Sequence, residues 1–106
     1  MIEIELIVKG ETPELFSLPR EEVTVATEKN FNGDLTTIEL YISEGLNILF
    51  LIVSLIKSYI KQKKVSSLVL DKDKIELHNV SEETIMKVLD AWAQRNSRKK
   101  VSKKGS

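Results

Sequence analysis

Few side chains in this 106-residue sequence have the types and spacing that chemistry requires. The single histidine, His78, lies two residues after Glu76, and a histidine beside a carboxylate can act as an acid or a base. No nucleophile or further partner accompanies this pair in the sequence. Asp71 and Asp73 with Glu76 resemble part of a calcium loop, but the glycine and the ligand spacing of that loop are missing. We expect a polar turn and a solvated strand residue here, and no catalytic site.

Cysteine chemistry and phosphate binding also lack support in the sequence. The chain has no cysteine, which excludes a thiolate nucleophile, a disulfide framework and a Cys-ligated zinc ion. Its four glycines are too dispersed to form a phosphate-binding loop. The sequence therefore predicts no cofactor and no metal. The absence of cysteine fits a reducing cytoplasm, and the N-terminal residues lack the pattern of a signal peptide, so we expect a cytoplasmic protein.

Charge divides the chain into two parts. Residues 1–94 carry 16 acidic and ten basic side chains, a net charge of −6, whereas residues 95–106 carry +6. We predict a single domain over 1–94 and a disordered basic tail over 95–106. The tail has no aromatic residue that could stack on a base, so it predicts no specific nucleic-acid binding. Non-specific contact with anions would use Arg98, Lys99, Lys100, Lys103 and Lys104.

Alternating apolar residues predict strands at both ends of the domain. Ile2, Ile4 and Leu6 alternate at the start, and a short β-branched segment follows at Val23 and Val25. Residues 65–70 and 74–78 predict two more strands, joined by a polar turn. Ser81 is a predicted N-cap of a final helix whose core stripe includes Trp92.

The middle of the chain holds the longest apolar segment. Residues 46–61 predict a helix whose polar side chains form one narrow strip, Asn47, Ser54, Ser58 and Lys61. Its dense apolar run covers 11 residues, whereas a membrane span needs about 20, so we favour a buried core helix. The alternative is a membrane-associated protein that inserts residues 46–60 beside its basic tail. Apolar surface left over on this helix would mark an interaction surface.

Residues 35–43 fit two patterns. Ile38, Leu40 and Ile42 alternate as in a strand, which would form a hairpin with the segment before Gly33. Leu35, Ile38, Ile42 and Leu46 equally fall on one stripe of a helix, for which Asp34 is a plausible N-cap.

The stretch from Leu35 to Leu46 and the helix ending at Tyr59–Lys64 resemble the effector-associated constant component family. The resemblance covers about residues 1–92 and includes a break at Gly45, a later hairpin with a charged turn, and a last helix. It implies that residues 35–43 are helical, and we adopt that prediction. It also implies an accessory role in bacterial conflict or signalling systems, coupling effector proteins. The chain departs from the family after Leu18, where Pro19-Arg20 stands in place of a longer helix.

These patterns together predict an α+β fold in the order ββααββα. Its small four-stranded sheet is mostly antiparallel, and the helices pack on one face of it. The predicted function is that of a non-enzymatic adaptor that binds protein partners and associates with itself through the central helix. The predicted interaction residues are Leu51, Leu55, Tyr59 and Trp92. The alternatives are the membrane-associated protein and a nucleic-acid accessory protein that uses the tail.

Overall fold

The structure is a computed structural model of the chain. It describes residues 2–29, 34–43, 48–71, 73–77 and 80–105, with residues 73, 74, 76 and 97–105 described by their backbone. The strands are β1 (Ile2–Lys9), β2 (Val23–Lys29), β3 (Leu35–Ile42), β4 (Val65–Leu70) and β5 (Asp73–Glu76). The helices are α1 (Ile48–Lys61) and α2 (Glu82–Gly105), and a 3₁₀ helix spans Pro13–Ser17.

The described strands form one antiparallel sheet in the order β2-β3-β1-β4-β5. Ile2, Ile4, Leu6 and Val8 of the central strand β1 are buried, while the residues between them are exposed or half-buried. The register places Leu40 of β3 and Leu70 of β4 on either side of Ile4, so one face of the sheet is continuously apolar. Both helices pack on that face, and their apolar residues complete one core. The α+β class and the antiparallel sheet with helices on one face are confirmed.

A β-bulge keeps the start of β4 on the buried face. The register with β1 shifts between Ile7, which pairs with Ser67, and Val8, which pairs with Val65. Ser66 is the extra residue, and its hydroxyl donates a hydrogen bond to the Ile7 carbonyl over 3.2 Å. The skipped position turns Val65 back toward the core, because side chains otherwise alternate between faces.

The helix predicted over residues 35–43 is wrong, because residues 35–42 form the strand β3. This strand pairs with β1 on one side and with β2 on the other, so the sheet has five strands instead of four. Ile38, Leu40 and Ile42 all face the core, which is what their alternation indicates. Pairing with two strands satisfies the backbone on both sides of the segment. Gly33, at the expected hairpin turn, and the break at Gly45 lie outside the described residues.

The helix α2 is longer than the sequence predicts. Its N-cap is confirmed, since the Thr84 backbone N–H donates to the Ser81 hydroxyl over 3.2 Å. Residues 95–106 were predicted to be disordered, but α2 continues through Gly105. Lys and Arg are good helix formers, no proline or glycine interrupts them before Gly105, and cations near a helix C-terminus interact favourably with its dipole.

Candidate protein-interaction surface

The helix α1 buries most of its circumference but leaves two large apolar side chains in solvent. Its buried residues are Ile48, Leu49, Ile52, Val53, Ile56, Tyr59 and Ile60. On the opposite side Phe50 is 44% exposed and Leu51 is 49% exposed. Leu55, one turn after Leu51, is half-buried against the edge of the core. We call Phe50, Leu51 and Leu55 the α1 surface.

Polar contacts fix the orientation of α1, and with it the α1 surface. The Lys57 ammonium lies 2.7 Å from the Asp90 carboxylate and so links α1 to α2. The Tyr59 hydroxyl donates a hydrogen bond to the Glu14 carboxylate and so links α1 to the 3₁₀ helix. The buried side chains of α1 add to these contacts and keep Phe50 and Leu51 on its outward side. The α1 surface therefore faces solvent.

The four predicted interaction residues are divided between surface and core. Leu51 is exposed and Leu55 is half-buried, as an interaction surface requires. Tyr59 is 2% exposed and Trp92 is 4% exposed, so neither is available to a partner, and the prediction is wrong for these two residues. Tyr59 lies on the sheet-facing side of α1, and Trp92 packs in the core from α2. Their large aromatic area makes burial the favourable state.

The sequence analysis missed two exposed aromatic residues, Phe50 and Phe16. Phe50 lies one turn before Ser54, and a helical wheel therefore places it beside the polar strip that faces solvent. The exposure of Phe50 could therefore have been predicted from the sequence. Phe16 is 54% exposed on the 3₁₀ helix, although Leu15 beside it is fully buried. A five-residue helix has too short a pattern to show which of two adjacent apolar residues faces outward.

Two tyrosine hydroxyls donate hydrogen bonds to carboxylates, one between two elements and one within β3. Burial and the hydrogen bond to Glu14 raise the pKa of Tyr59, so its hydroxyl stays protonated and keeps donating. The same hydrogen bond lowers the pKa of Glu14. On the open face of the sheet, the hydrogen bond to Glu39 raises the pKa of Tyr41. Each tyrosine is thus held as a donor to a carboxylate, which is a positioning contact.

Other predicted positions have no described geometry. His78 lies outside the described residues. The hypothesis that His78 acts as an acid or a base beside Glu76 is therefore untested. The cations Arg98, Lys99, Lys100, Lys103 and Lys104 lie on the last turns of α2, where the structure describes the backbone alone. In the part of the chain that the structure describes, no three His, Asp or Glu residues are grouped so as to hold a metal ion.

Comparisons with known proteins found no relative of this chain. No family model, no curated protein and no solved structure matches the chain. The resemblance to the effector-associated constant component family therefore stays a prediction. Among the described residues, no helix combines the length and the hydrophobicity that crossing a membrane requires.

Proposed function

We propose that this chain is a non-enzymatic adaptor that binds another protein through the α1 surface. The observation that supports the proposal is the exposure of Phe50 and Leu51, 44% and 49%, on consecutive positions of a helix whose other side is buried. Transfer of an exposed aromatic and an exposed aliphatic side chain from water to an interface is favourable, and aromatic residues are enriched among those that dominate binding.

The surroundings of these side chains suit a protein partner. Ser54 lies exposed beside them and carries no charge, so a partner would not have to desolvate an ion at the centre of the contact. Lys61 at the end of α1 and Lys57 toward α2 provide a charged rim. An apolar centre within a polar rim is the usual anatomy of a protein interface.

The finer part of the proposal follows the family resemblance. We assign the chain an accessory role in a bacterial conflict or signalling system, in which it couples effector proteins in the cytoplasm. An adaptor of this kind needs a stable domain and an exposed contact surface but no reactive side chains. The described residues supply both of the features that it needs.

Affinity capture with matched variants tests the proposal. The tagged full chain, Leu51→Glu and Ser58→Glu are used as baits in extracts of the protein's own cells. Both variants add one carboxylate to an exposed position of α1, but only Leu51→Glu alters the α1 surface. We expect wild type and Ser58→Glu to retain at least one protein in common. Leu51→Glu should retain at least about tenfold less of it, which corresponds to a loss of about 1.4 kcal/mol in binding free energy. Equal capture by all three baits, or no retained protein, would refute the proposal.

A further inference from the structure

The strand β2 is at one edge of the sheet, and its outer side is free over the described residues. It pairs with β3 without interruption from Val23 to Lys29. The Ser43 N–H donates to the Glu22 carbonyl over 3.0 Å. This bond shows which alternate residues of β2 direct their backbone groups toward β3. Antiparallel pairs alternate, so the N–H and C=O groups of Val25, Thr27 and Lys29 point away from β3. None of these groups has a hydrogen-bond partner in the described part of the chain.

This edge lacks three of the devices that usually prevent pairing with another strand, namely proline, a bulge and a very short strand. Its charged residues, Glu28 and Lys29, lie only at the C-terminal end of the strand. β2 contains no proline, its register with β3 shows no shift, and it is seven residues long. The other edge strand, β5, has only four residues and so offers a much shorter template. The two edges of the sheet are therefore unequal.

An exposed aromatic side chain lies beside the free edge. Phe16 lines a cavity of about 340 Å³ together with Val23 and Val25. It also lines a second cavity, of about 450 Å³, together with Thr27 and Lys29. The first cavity lies at the edge of β2, so Phe16 borders that edge near Val23 and Val25. The second cavity also reaches Val8 and Ile38, so there Phe16 lies over the helix-side face of the sheet. Its exposed ring would be covered by a strand added at this edge.

We propose that a second copy of this chain pairs its β2 antiparallel with this edge, about a twofold axis at Ala26. Val25 then lies opposite the partner's Thr27, and the free backbone groups of the two strands form about four new hydrogen bonds. The sheets of both copies become one continuous sheet. Phe16 and the partner's Phe16 lie on the helix side of the new pair of strands and exclude water from it.

Residue types along β2 favour a second copy over an unrelated peptide. Ala26 is at the midpoint of the strand, so the twofold brings two small side chains together where the backbones approach most closely. Thr24 lies opposite the partner's Glu28, and Val23 lies opposite the partner's Lys29. No like charges face each other. The symmetric contact also closes on itself, because it uses the same edge of both copies.

This inference goes beyond the proposed function and uses a different surface. Self-association was predicted at the central helix, and that prediction stays untested. The geometry assigns the second copy to the β2 edge and leaves the α1 surface free for another protein. Leu51→Glu should therefore leave the dimer intact, so failure of one proposal would not imply failure of the other.

Disulfide trapping tests the register directly, because the chain has no cysteine of its own. In the proposed dimer the two Ala26 Cα atoms are about 4.5 Å apart, within the range that a disulfide bridges. The control is Thr24→Cys, whose Cα atoms would be about 13 Å apart. Under mild oxidation we expect Ala26→Cys to form a covalent dimer as its main product and Thr24→Cys to form at least about tenfold less, an energy difference of about 1.4 kcal/mol. Equal yields from both variants would overturn the proposal.

A second measurement uses the full chain without cross-linking. Sedimentation equilibrium should show a concentration-dependent dimer for wild type and for Leu51→Glu. Thr27→Pro should be a folded monomer, because the Thr27 N–H points outward and its loss leaves the β2–β3 ladder intact. A wild type that stays monomeric at all concentrations, or a Thr27→Pro variant that dimerises like wild type, would contradict the inference.

Discussion

The Tyr59 hydroxyl donates a hydrogen bond to the Glu14 carboxylate and thereby ties α1 to the 3₁₀ helix, 45 residues away in sequence. The Tyr59 ring is buried in the core, and the Lys64 ammonium lies 5.7 Å from its centroid. This contact adds to the packing of the buried residues of α1, and the resulting orientation of α1 determines which of its apolar residues remain in solvent.

Removal of the Tyr59 hydroxyl should destabilise the domain without changing its core. In Tyr59→Phe the ring stays in place and only the bond to Glu14 is lost, so we expect the free energy of unfolding to fall by about 1 kcal/mol. Chemical denaturation measures the change. Tyr41→Phe is the matched control, because it removes a hydroxyl that bonds to Glu39 on the open face of the sheet. An effect at Tyr41 as large as that at Tyr59 would contradict this account.

The same contact predicts how stability depends on pH in acid. The pKa of Glu14 in the folded protein lies below its usual value of 4.5, because the Tyr59 hydroxyl stabilises the carboxylate. A lowered folded-state pKa contributes stability above the pKa of the unfolded chain, and that contribution is lost as the pH falls through the folded-state value. We expect denaturation curves to show a decline in stability below about pH 4.5. The decline should be shallower in Tyr59→Phe, and identical pH profiles would rule out the linkage.

The end of α1 contains a strained residue whose replacement should stabilise the protein. The Lys64 N–H donates to the Tyr59 carbonyl and the Lys63 N–H donates to the Ile60 carbonyl, each over 3.0 Å, which is the pattern of a Schellman cap. Lys63 occupies the left-handed position with a φ of 62°, which favours glycine. Lys63→Gly also removes the exposed ion pair of Lys63 with Glu82 (3.2 Å), so we expect a net rise of about 0.5 kcal/mol in the free energy of unfolding.

The matched control for this prediction is Lys61→Gly, two residues earlier and within the helix. Glycine lowers helix stability there, so the free energy of unfolding should fall by about 0.5 kcal/mol. Thermal or chemical denaturation of both variants gives the comparison. If both substitutions destabilise the domain equally, the left-handed cap does not govern the end of α1.

Repulsion on the open face of the sheet is a further target. Glu5 and Glu39 lie directly opposite each other on β1 and β3, and in the described part of the chain neither has a cationic partner. Like charges at such positions destabilise a sheet, so Glu5→Lys should raise the free energy of unfolding by about 0.5 kcal/mol. The gain should shrink when salt is added. Glu21→Lys, in the exposed turn before β2, changes the net charge equally and should have little effect. A similar gain from both variants would point to net charge instead of the pair.

The sequence predicts the elements whose patterns are long or bounded by clear signals. The strand over 65–70 and the helix that Ser81 caps both agree with the structure, since alternation and an N-cap residue report local geometry directly. For residues 35–42 the family resemblance led to a wrong prediction. Their own alternation indicates the strand that forms, whereas the family pattern implies a helix.

Features that depend on tertiary contacts could not be predicted from the sequence. The burial of Tyr59 follows from its position against the 3₁₀ helix, and the exposure of Phe16 follows from the packing of Leu15 beneath it. The position of β2 at the edge depends on strand order, which alternation does not encode. Phe50 is different, because a helical wheel alone places it beside Ser54 on the solvent side of α1.

Site-specific photo-crosslinking in living cells tests the central claim most directly, namely that the α1 surface binds another protein. A photoreactive amino acid replaces Leu51 in one variant and Glu83, an exposed residue of the first turn of α2, in the control. We predict a discrete covalent adduct with a different protein at position 51 and none of that adduct at position 83. The absence of any protein adduct at position 51, or the same adduct at both positions, would contradict the account.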